Sequence, residues 1–210
     1  MTEIGTAAQV RAATKADIPG MTAVLDRAFG VDDPFGEYWF PNPERRKRAQ
    51  PRLYRAMIRH QYLPAGGAQV AVVDGQVAGA MLWQPPGYRF GPLRYLASIP
   101  EFTWAMGSAG PRVLSTDSAL AKLAPGLPHY LGITLGVDPG FQGAGVGKAL
   151  SLFILGEVER ACVPLLGLCK DGNLGFYADF GGQRLGKIRI GRSGPAVNVM
   201  MWLPTSLRIG

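Results

Sequence analysis

The sequence has little of what several protein classes require. Its 210 residues include only two cysteines and two histidines, too few for a disulfide-built scaffold or a metal site of clustered cysteines and histidines. No apolar run is long enough to cross a bilayer, and the first residues, MTEIGTAAQV, lack the basic and apolar parts of a secretory signal. We therefore expect no metal and no membrane association, and we expect a cytoplasmic location.

What the sequence does contain is enough apolar material for a complete core. Hydrophobic residues make up 47% of the chain, which excludes an intrinsically disordered protein, and the length fits one domain. We expect a single domain over residues 8–205. Residues 84–128 are irregular and rich in proline and glycine, yet they include aromatic residues such as Tyr95 and Trp104. This stretch predicts an ordered insertion with short helices near 93–99, 102–106 and 113–123, which closes one side of a site or forms a homodimer surface.

Most of the net charge of +7 lies in one segment. Residues 44–59 contain seven Lys or Arg and one Glu, within a predicted helix over 43–62. The arginines that share one face of this helix are Arg45, Arg48, Arg52, Arg55 and Arg59. A solvated helix face is the favoured interpretation, and contact with an acidic substrate or partner is the alternative. Nucleic acid is least favoured because the charge is confined to one segment.

The first half of the chain contains several local signals. Asp17 is placed to cap a helix over residues 18–29. The loop predicted over residues 31–43 holds four aromatic residues, which must pack against either the core or a ligand. Asp74-Gly75 lies between two apolar runs, 69–73 and 77–83, and predicts a β-hairpin.

Residues 129–161 predict a strand, a glycine turn and a helix. Large residues at the odd positions of 131–137 alternate with Gly132, Thr134 and Gly136, which predicts a strand with one bulky and one nearly bare face. Glycine within a strand indicates close approach of another group, here a ligand. The apolar spacing after Gly145 predicts a helix to Ala161. An apolar run at 163–169, a short helix from Asp171 and a final hairpin over 184–203 follow.

The turn itself, Gln142-Gly-Ala-Gly-Val-Gly147, predicts an anion site. Alternating glycines at a helix start leave the first backbone N–H groups uncovered at the positive end of the helix dipole, and a phosphate is their natural ligand. A Walker A loop would need glycine at Gln142 and a hydroxyl residue at Ala149. The dinucleotide fingerprint needs a small residue where Lys148 or Leu150 stands.

The pattern Q-x-x-G-x-G resembles the pyrophosphate loop of the GNAT N-acetyltransferases. A second segment, Asn173-Leu-Gly-Phe176-Tyr177, resembles the N-x-x-F-Y segment of the same family. The motif resemblance spans residues 129–182, and over about 10–203 the chain is most similar to the puromycin N-acetyltransferase-like branch. The resemblance implies a GNAT fold of mixed α/β class: a central, mostly antiparallel sheet with one parallel, splayed strand pair, flanked by helices.

The resemblance also implies a reaction. An acetyl group would pass from acetyl-CoA to a primary amine of a small molecule by direct attack, with Tyr177 protonating the departing thiolate. The coenzyme's pyrophosphate would bind the loop, and its pantetheine arm would lie along the strand that ends at Val137. The residues so implied for coenzyme binding are Leu135, Gly136, Val137, Gln142, Gly143, Ala144, Gly145, Val146, Gly147, Lys148, Asn173 and Phe176.

Several points stay open at this stage. The acceptor is either a small amine or a protein amine, and a non-catalytic module that binds coenzyme A is a further alternative. No general base is evident, since His129 begins the strand and suits a structural role as well. Cys169 lies close to the expected position of the acyl group, so a covalent acyl-cysteine route is conceivable, although a lone buried cysteine is more often inert.

Overall fold

The computed structural model describes residues 8–30, 33–123 and 126–208. Most of the segment considered as a possible signal, the first two residues of the predicted loop at 31–43, and residues 124–125 of the insertion lie outside the described residues. The strands are β1 (Gln9–Ala12), β2 (Ala68–Val73), β3 (Gln76–Gln84), β4 (Tyr130–Val137), β5 (Leu165–Cys169), β6 (Gln183–Arg189) and β7 (Ala196–Trp202). The helices are α1 (Ile18–Phe29), α2 (Pro34–Trp39), α3 (Pro43–Met57), α4 (Pro92–Met106), α5 (Gly110–Ala121), α6 (Val146–Ala161) and α7 (Leu174–Ala178).

The strands form one seven-stranded sheet in the order β1-β2-β3-β4-β5-β7-β6. Only β4 and β5 are parallel among the paired strands, and every other pair is antiparallel. The turn between β2 and β3 has positive φ at both Asp74 and Gly75, which is the twist that a two-residue hairpin requires. The mixed sheet predicted from the sequence is therefore confirmed.

Helices cover both faces of the sheet. On one face, α1 and α3 pack on β2 and β3 around Met21, Leu25 and Tyr54. On the other face, α6 packs on β3 and β4 through a buried stripe of Val146, Leu150, Ile154 and Val158. The contact is close at β3, since a Cβ on Gly79 would lie 2.6 Å from Val146 Cγ1. The two faces thus position the first turn of α6 against the end of β4.

The side chain of Asp17, which was predicted to cap α1, makes different contacts. The carboxylate of Asp17 makes no capping bond to α1. It instead accepts two hydrogen bonds of 2.8 Å from the guanidinium of Arg11 and one of 2.7 Å from the Thr14 N–H. This pairing holds the pKa of Asp17 well below its usual range, with the Arg11 hydrogen bond as the main cause. The residue joins β1 to α1 and does not cap the helix.

The aromatic segment after α1 is a helix where a loop was predicted. Asp33 caps α2 by accepting from the N–H groups of Phe35 and Gly36. Phe40 is completely buried, whereas Phe35 and Trp39 line the cavity described below. These aromatic side chains therefore divide between the core and the cavity.

The insertion contains two helices where three short ones were predicted. Residues 93–99 and 102–106 belong to the single helix α4, which continues through Pro100, and the third predicted helix corresponds to α5. No helix of the described residues is both long and apolar enough to span a membrane. Because α4 and α5 pack on α2 and α3, the insertion forms a second wall opposite the sheet.

The arginine face of α3 is not simply solvated, because it contacts α4 and the turn after it. The Arg45 guanidinium donates to Ser108 Oγ at 2.6 Å and to the Met106 carbonyl at 2.9 Å. Glu101 of α4 lies 3.3 Å from Arg55 and 3.7 Å from Arg59. The same carboxylate lies 2.7 Å from His60 Nε2, in the π-helical turn that follows α3. These side chains are partly exposed, and their contacts connect the insertion to the rest of the domain.

Candidate functional site

The loop between β4 and α6 has the geometry of an anion cradle. Gly143 and Gly145 have φ of 81° and 79°, a region that favours glycine, and a Cβ at either position would meet nothing within 4 Å. Gly145 caps α6 directly. The N–H of Ala149 donates to the Gly145 carbonyl at 2.9 Å and begins the helical pattern. The preceding amides at the start of α6 are therefore available to a ligand, as the sequence predicted.

Ala144 differs from its neighbours in this loop. Its N–H donates to the Phe141 carbonyl at 3.3 Å, and the residue does not line the cavity. The Gln142 N–H likewise donates to the Pro139 carbonyl at 3.4 Å, although this residue does line the cavity. The backbone donors left for a ligand among the described residues of the loop are those of Gly143, Gly145, Val146, Gly147 and Lys148.

Next to this loop, the parallel strands β4 and β5 separate. They pair only over residues 130–132 and 165–167. β4 then continues to Val137 and β5 to Cys169, but among the described residues these two strands do not pair with each other any further. The result is a gap in the sheet that begins beyond Gly132.

A bulge in β4 lies at the start of the gap. Trp83 of β3 pairs with Gly132, and Leu82 pairs with Thr134. Ile133 is therefore an extra residue with no partner of its own in β3.

The bulge reverses the direction in which the backbone groups of β4 point. The Tyr130 N–H donates towards β5, to the Pro164 carbonyl at 2.8 Å, whereas the Asp138 N–H donates towards β3, to the Ala78 carbonyl at 2.9 Å. In a regular strand two even-numbered residues would point the same way. Beyond the bulge, the backbone groups of Leu135 and Val137 therefore face the gap and are free to pair with an extended ligand.

The bulge also divides the side chains that were predicted to share one face. Ile133 packs with the α1 side of the sheet, whereas Leu135 and Val137 pack with the α6 side. The predicted alternation of one bulky and one bare face along 131–137 is therefore wrong, because the extra residue changes the alternation in the middle of the strand.

The glycines of β4 have a different role from the one predicted. A Cβ on Gly136 would lie 2.9 Å from Leu25 Cδ2 and 3.1 Å from Ala28 Cβ. Gly136 is thus required by the packing of α1. A Cβ on Gly132 would come no closer than 3.5 Å to a neighbour, the carbonyl oxygen of Leu166. Neither glycine indicates close approach by a ligand.

Tyr177 lies on α7 and lines the cavity. Its ring packs edge-on against Trp202 and Phe176, with centroid distances of 5.4 and 5.1 Å. Burial, reinforced by the neighbouring Cys169 thiol, raises the pKa of the Tyr177 hydroxyl to about 12. The hydroxyl is therefore protonated throughout the neutral range and can donate a hydrogen bond.

The other two residues of the second motif flank this tyrosine. Asn173 immediately precedes α7 and lines the same cavity. Phe176 packs on the first turn of α6, where a Cβ on Gly147 would lie 3.4 Å from its ring. The structure therefore brings the motif at 173–177 against the glycine loop.

Two residues considered for proton transfer or covalent catalysis have unfavourable surroundings. Burial, followed by the nearby Asp171 carboxylate, raises the pKa of the Cys169 thiol, so this cysteine is not activated as a thiolate. His129 lines a separate cavity of about 180 Å³, and its Nδ1 lies 2.7 Å from the Leu127 carbonyl. Neither observation favours a direct part in the chemistry.

One continuous cavity of about 1090 Å³ connects these features. It is lined by every residue predicted for coenzyme binding except Ala144, and by Tyr177. From the β4–β5 gap it continues between the sheet and α2 to α5, where aromatic and methionine side chains form much of the wall. These side chains include Phe35, Trp39, Met57, Phe90, Tyr95 and Phe102.

Two acidic residues of the cavity were not found from the sequence. Asp33 is buried at the start of α2, and its desolvation raises its pKa, although the Gly36 and Phe35 amides oppose this shift. Asp117 projects from α5, and desolvation raises its pKa to about 6. Asp117 is nevertheless an exposed residue, so its carboxylate is only partly desolvated and remains open to the cavity that it lines. No motif includes either position, so only the three-dimensional arrangement identifies them.

Comparison with known proteins shows the same architecture. No family model matches the chain. A solved structure from Corynebacterium glutamicum, described as a histone acetyltransferase and related acetyltransferase, is 24% identical with a TM-score of 0.75, covering 97% of this chain and 100% of the other. The polyamine N-acetyltransferase of Drosophila melanogaster is 16% identical with a TM-score of 0.65, covering 93% and 99%. A GNAT-like decarboxylase in complex with isobutyryl-CoA is 18% identical with a TM-score of 0.57, covering 93% and 98%.

At these identities the likeness establishes the fold. The chain has the GNAT fold expected from its two motifs, over nearly its whole length.

Proposed function

We propose that the protein is an acyltransferase that moves an acetyl group from acetyl-CoA to a primary amine of a small molecule. The observation that carries this proposal is the continuous path from the uncovered amides of the glycine loop, along the free backbone of Leu135 and Val137, to Tyr177. Each segment of the path matches one part of an acyl-CoA thioester: the pyrophosphate, the pantetheine arm and the sulfur.

The residues present fit this coenzyme. Two glycines of positive φ leave the loop surface open where a side chain would project. The N–H groups of Gly145 to Lys148 and the charge of Lys148 favour a pyrophosphate. The amides of the pantetheine arm can pair with Leu135 and Val137 as an added strand, which satisfies backbone groups that the gap leaves unpaired.

Bound acetyl-CoA supplies the activated acetyl group, and the residues of this chain act around it. Backbone N–H groups near the bulge stabilise negative charge on the thioester carbonyl oxygen without any side chain. The amine nitrogen bonds to the acetyl carbon and loses a proton to water, while Tyr177 donates its proton, or a strong hydrogen bond, to the sulfur as the C–S bond breaks. A thiolate of pKa about 8.5 is a weaker base than a phenolate of pKa about 12, so the donation is most effective late in bond breaking.

The wall formed by α4 and α5 supports a small acceptor. These helices form the wall of the cavity opposite the sheet, and a walled cavity fits a small amine better than an extended peptide, which would need an open groove. An extra pair of helices also fits the finer proposal of a puromycin-type enzyme. A cytoplasmic location remains part of the proposal, and it fits the two free cysteines, Cys162 and Cys169.

The decisive experiment measures thiol release from acetyl-CoA with a panel of primary amines, together with calorimetric binding of acetyl-CoA. Gly145→Glu places a carboxylate in the cradle, and we expect it to abolish measurable coenzyme binding. Gly145→Ala has the same backbone strain without the charge and is expected to bind more weakly than wild type but detectably. Gly156→Glu makes the same substitution later on α6, where a Cβ meets nothing within 4 Å, and should bind normally.

The outcomes separate the candidate functions. Thiol release with small amines supports the proposal, and release only with peptides would assign a protein acceptor. Acetyl-CoA binding without release by any amine would identify a non-catalytic coenzyme A module. Normal binding by a folded Gly145→Glu variant would refute the proposed coenzyme site.

A further inference from the structure

The cavity contains one charged group that has no role in the proposed reaction as described above. Its charged lining residues among the described residues are Asp33, Asp117, Lys148 and Lys170. Lys148 belongs to the glycine loop, and Lys170 follows β5 at the coenzyme end. The Asp33 carboxylate accepts from the Gly36 and Phe35 amides at 2.8 and 3.3 Å. Asp117 remains.

The carboxylate of Asp117 has no hydrogen bond or ion pair to any described residue. This is unexpected in a chain with 22 Lys and Arg residues and a net charge of +7. A carboxylate that is desolvated by its surroundings and left without a counter-ion is costly. A cation that binds next to the Asp117 carboxylate would offset this free-energy cost, so the position favours a cationic ligand.

Asp117 and Tyr177 belong to different walls of the cavity. Asp117 lies on α5, which packs on α2 opposite the sheet, and after burial its charge is the next cause that raises the pKa of Tyr62. Tyr177 lies on α7, where its ring packs against Trp202 of β7. The carboxylate is therefore placed to contact a part of the substrate other than the group that reacts near Tyr177.

The wall of the cavity on the side of α3 and α4 is apolar and aromatic. Met57, Phe90, Tyr95 and Phe102 line the cavity on the side of α3 and α4. Aromatic faces bind flat apolar groups and also attract cations. A ligand that fits here combines an apolar or aromatic body with a positive charge at its far end.

We propose that Asp117 forms a subsite for a second positive charge, so that the acceptor is an amine with a further cationic group separated from it by an apolar or aromatic spacer. This inference rests on the proposed function, because it names the acceptor class of the same cavity. Asp117 is a specificity-determining residue in this account and takes no part in proton transfer.

The test compares two amines that differ by one charge, p-xylylenediamine and benzylamine. Binding of each to the protein without coenzyme is measured by calorimetry, and acetylation of each is measured by thiol release. Asp117→Asn keeps the shape and removes the charge, Asp117→Glu keeps the charge, and Asp74→Asn makes the same change in the β2–β3 turn, outside the cavity. A charge-assisted hydrogen bond of ordinary strength predicts that Asp117→Asn weakens diamine binding by about 10- to 100-fold.

Benzylamine binding should change less than about threefold in Asp117→Asn, since the charged contact is absent from that complex. Asp74→Asn should leave both amines unaffected, and Asp117→Glu should keep a preference for the diamine. If Asp117→Asn no longer binds the diamine in preference to benzylamine, the subsite is supported, even if no amine releases thiol. Absence of thiol release with every amine would refute the proposed function and not the subsite. Acetylation of both amines with the same KM ratio in wild type and Asp117→Asn would overturn the subsite and leave the function intact. Absence of diamine binding to wild type would overturn it as well.

Discussion

The guanidinium of Arg52 lies over the ring of Trp104, 4.0 Å from its centroid. Trp104 is 61% exposed, so this contact covers one face of a large apolar side chain at the surface. It joins α3 to α4 alongside the interactions of Arg45 with Ser108 and of Glu101 with Arg55. Because α4 lines the cavity, the charged side chains of α3 help to position one wall of it.

This relationship predicts a specific effect of Arg52→Gln. Loss of one partly exposed cation–π contact should cost about 0.5–1 kcal/mol and lower Tm by roughly 1–4 °C. The KM for the acceptor should rise while acetyl-CoA affinity stays unchanged, since the loop lies on another part of the domain. Arg48→Gln is the matched control, because Arg48 is exposed on the same helix and has no bonded partner among the described residues. Equal effects of the two substitutions would show that charge, and not the contact with Trp104, is responsible.

The second prediction concerns Tyr177→Phe, which keeps the ring and removes the proton donor. Positioned acid catalysis is worth about 10²–10⁴ in rate, or about 3–5 kcal/mol of barrier. The loss should appear in kcat, with acetyl-CoA affinity nearly unchanged, because the hydroxyl acts when the thiolate leaves. Single-turnover kinetics with a good acceptor measures this step directly.

Tyr130→Phe provides the control for Tyr177→Phe. Tyr130 is a buried tyrosine of β4 whose ring packs on Trp83 at a centroid distance of 5.2 Å, and it does not line the large cavity. Its hydroxyl should not affect kcat. A kcat for Tyr177→Phe within about twofold of wild type would remove Tyr177 as the acid and leave it a packing role.

The third prediction addresses Cys169. Since burial raises the pKa of its thiol, no acetyl group should be transferred to it, and the reaction should follow a sequential mechanism. Cys169→Ala should retain kcat within a few-fold. Mass spectrometry of the protein after incubation with acetyl-CoA alone checks the same point, and an acetylated Cys169 that turns over with added amine would contradict the direct mechanism.

The fourth prediction concerns the pH dependence of stability. The pKa of Asp117 rises from 3.8 to about 6 on folding, so the folded state binds a proton more tightly than the unfolded state. The stabilisation from this proton is complete below about pH 4 and is lost as the pH rises through 6. At pH 7 the charged carboxylate therefore destabilises the protein. A shift of this size corresponds to about 3 kcal/mol in a dry site, which water in the cavity reduces to ~1 kcal/mol.

Asp117→Asn should accordingly raise the free energy of unfolding at pH 7, and the gain should vanish below about pH 4. Denaturant unfolding of both proteins over this pH range provides the measurement. A constant difference at all pH values would mean that the substitution acts through packing and not through the charge.

The parts of the site that lie close together in sequence were predictable. The Asp74-Gly75 turn, the apolar stripe of α6 and the motifs around Gly145 and Tyr177 each depend on spacing within a few residues. These local patterns also carried the resemblance that implied the fold. Most of the residues predicted for coenzyme binding line one cavity.

The remainder depends on contacts between distant segments. The bulge at Ile133 results from the register between β3 and β4, which no pattern within β4 reveals. Helix α4 continues through Pro100, and its Glu101 contacts Arg55 of α3 and His60 of the turn after α3. Gly136 is required because α1 packs on it, and Asp117 matters because α5 turns it towards a cavity built by other elements. Propensity and periodicity contain none of this information.

The bulge at Ile133 sets which backbone groups of β4 face the gap. A strand of the same length without the bulge would pair residue for residue with β3, and the amides of Leu135 and Val137 would then be directed at β3. Deletion of Ile133 would have the opposite effect, because it would remove only the unpaired residue and leave these amides directed at the gap. We therefore expect a shift in the register of β4 to damage this edge more than the loss of the one residue that the bulge accommodates.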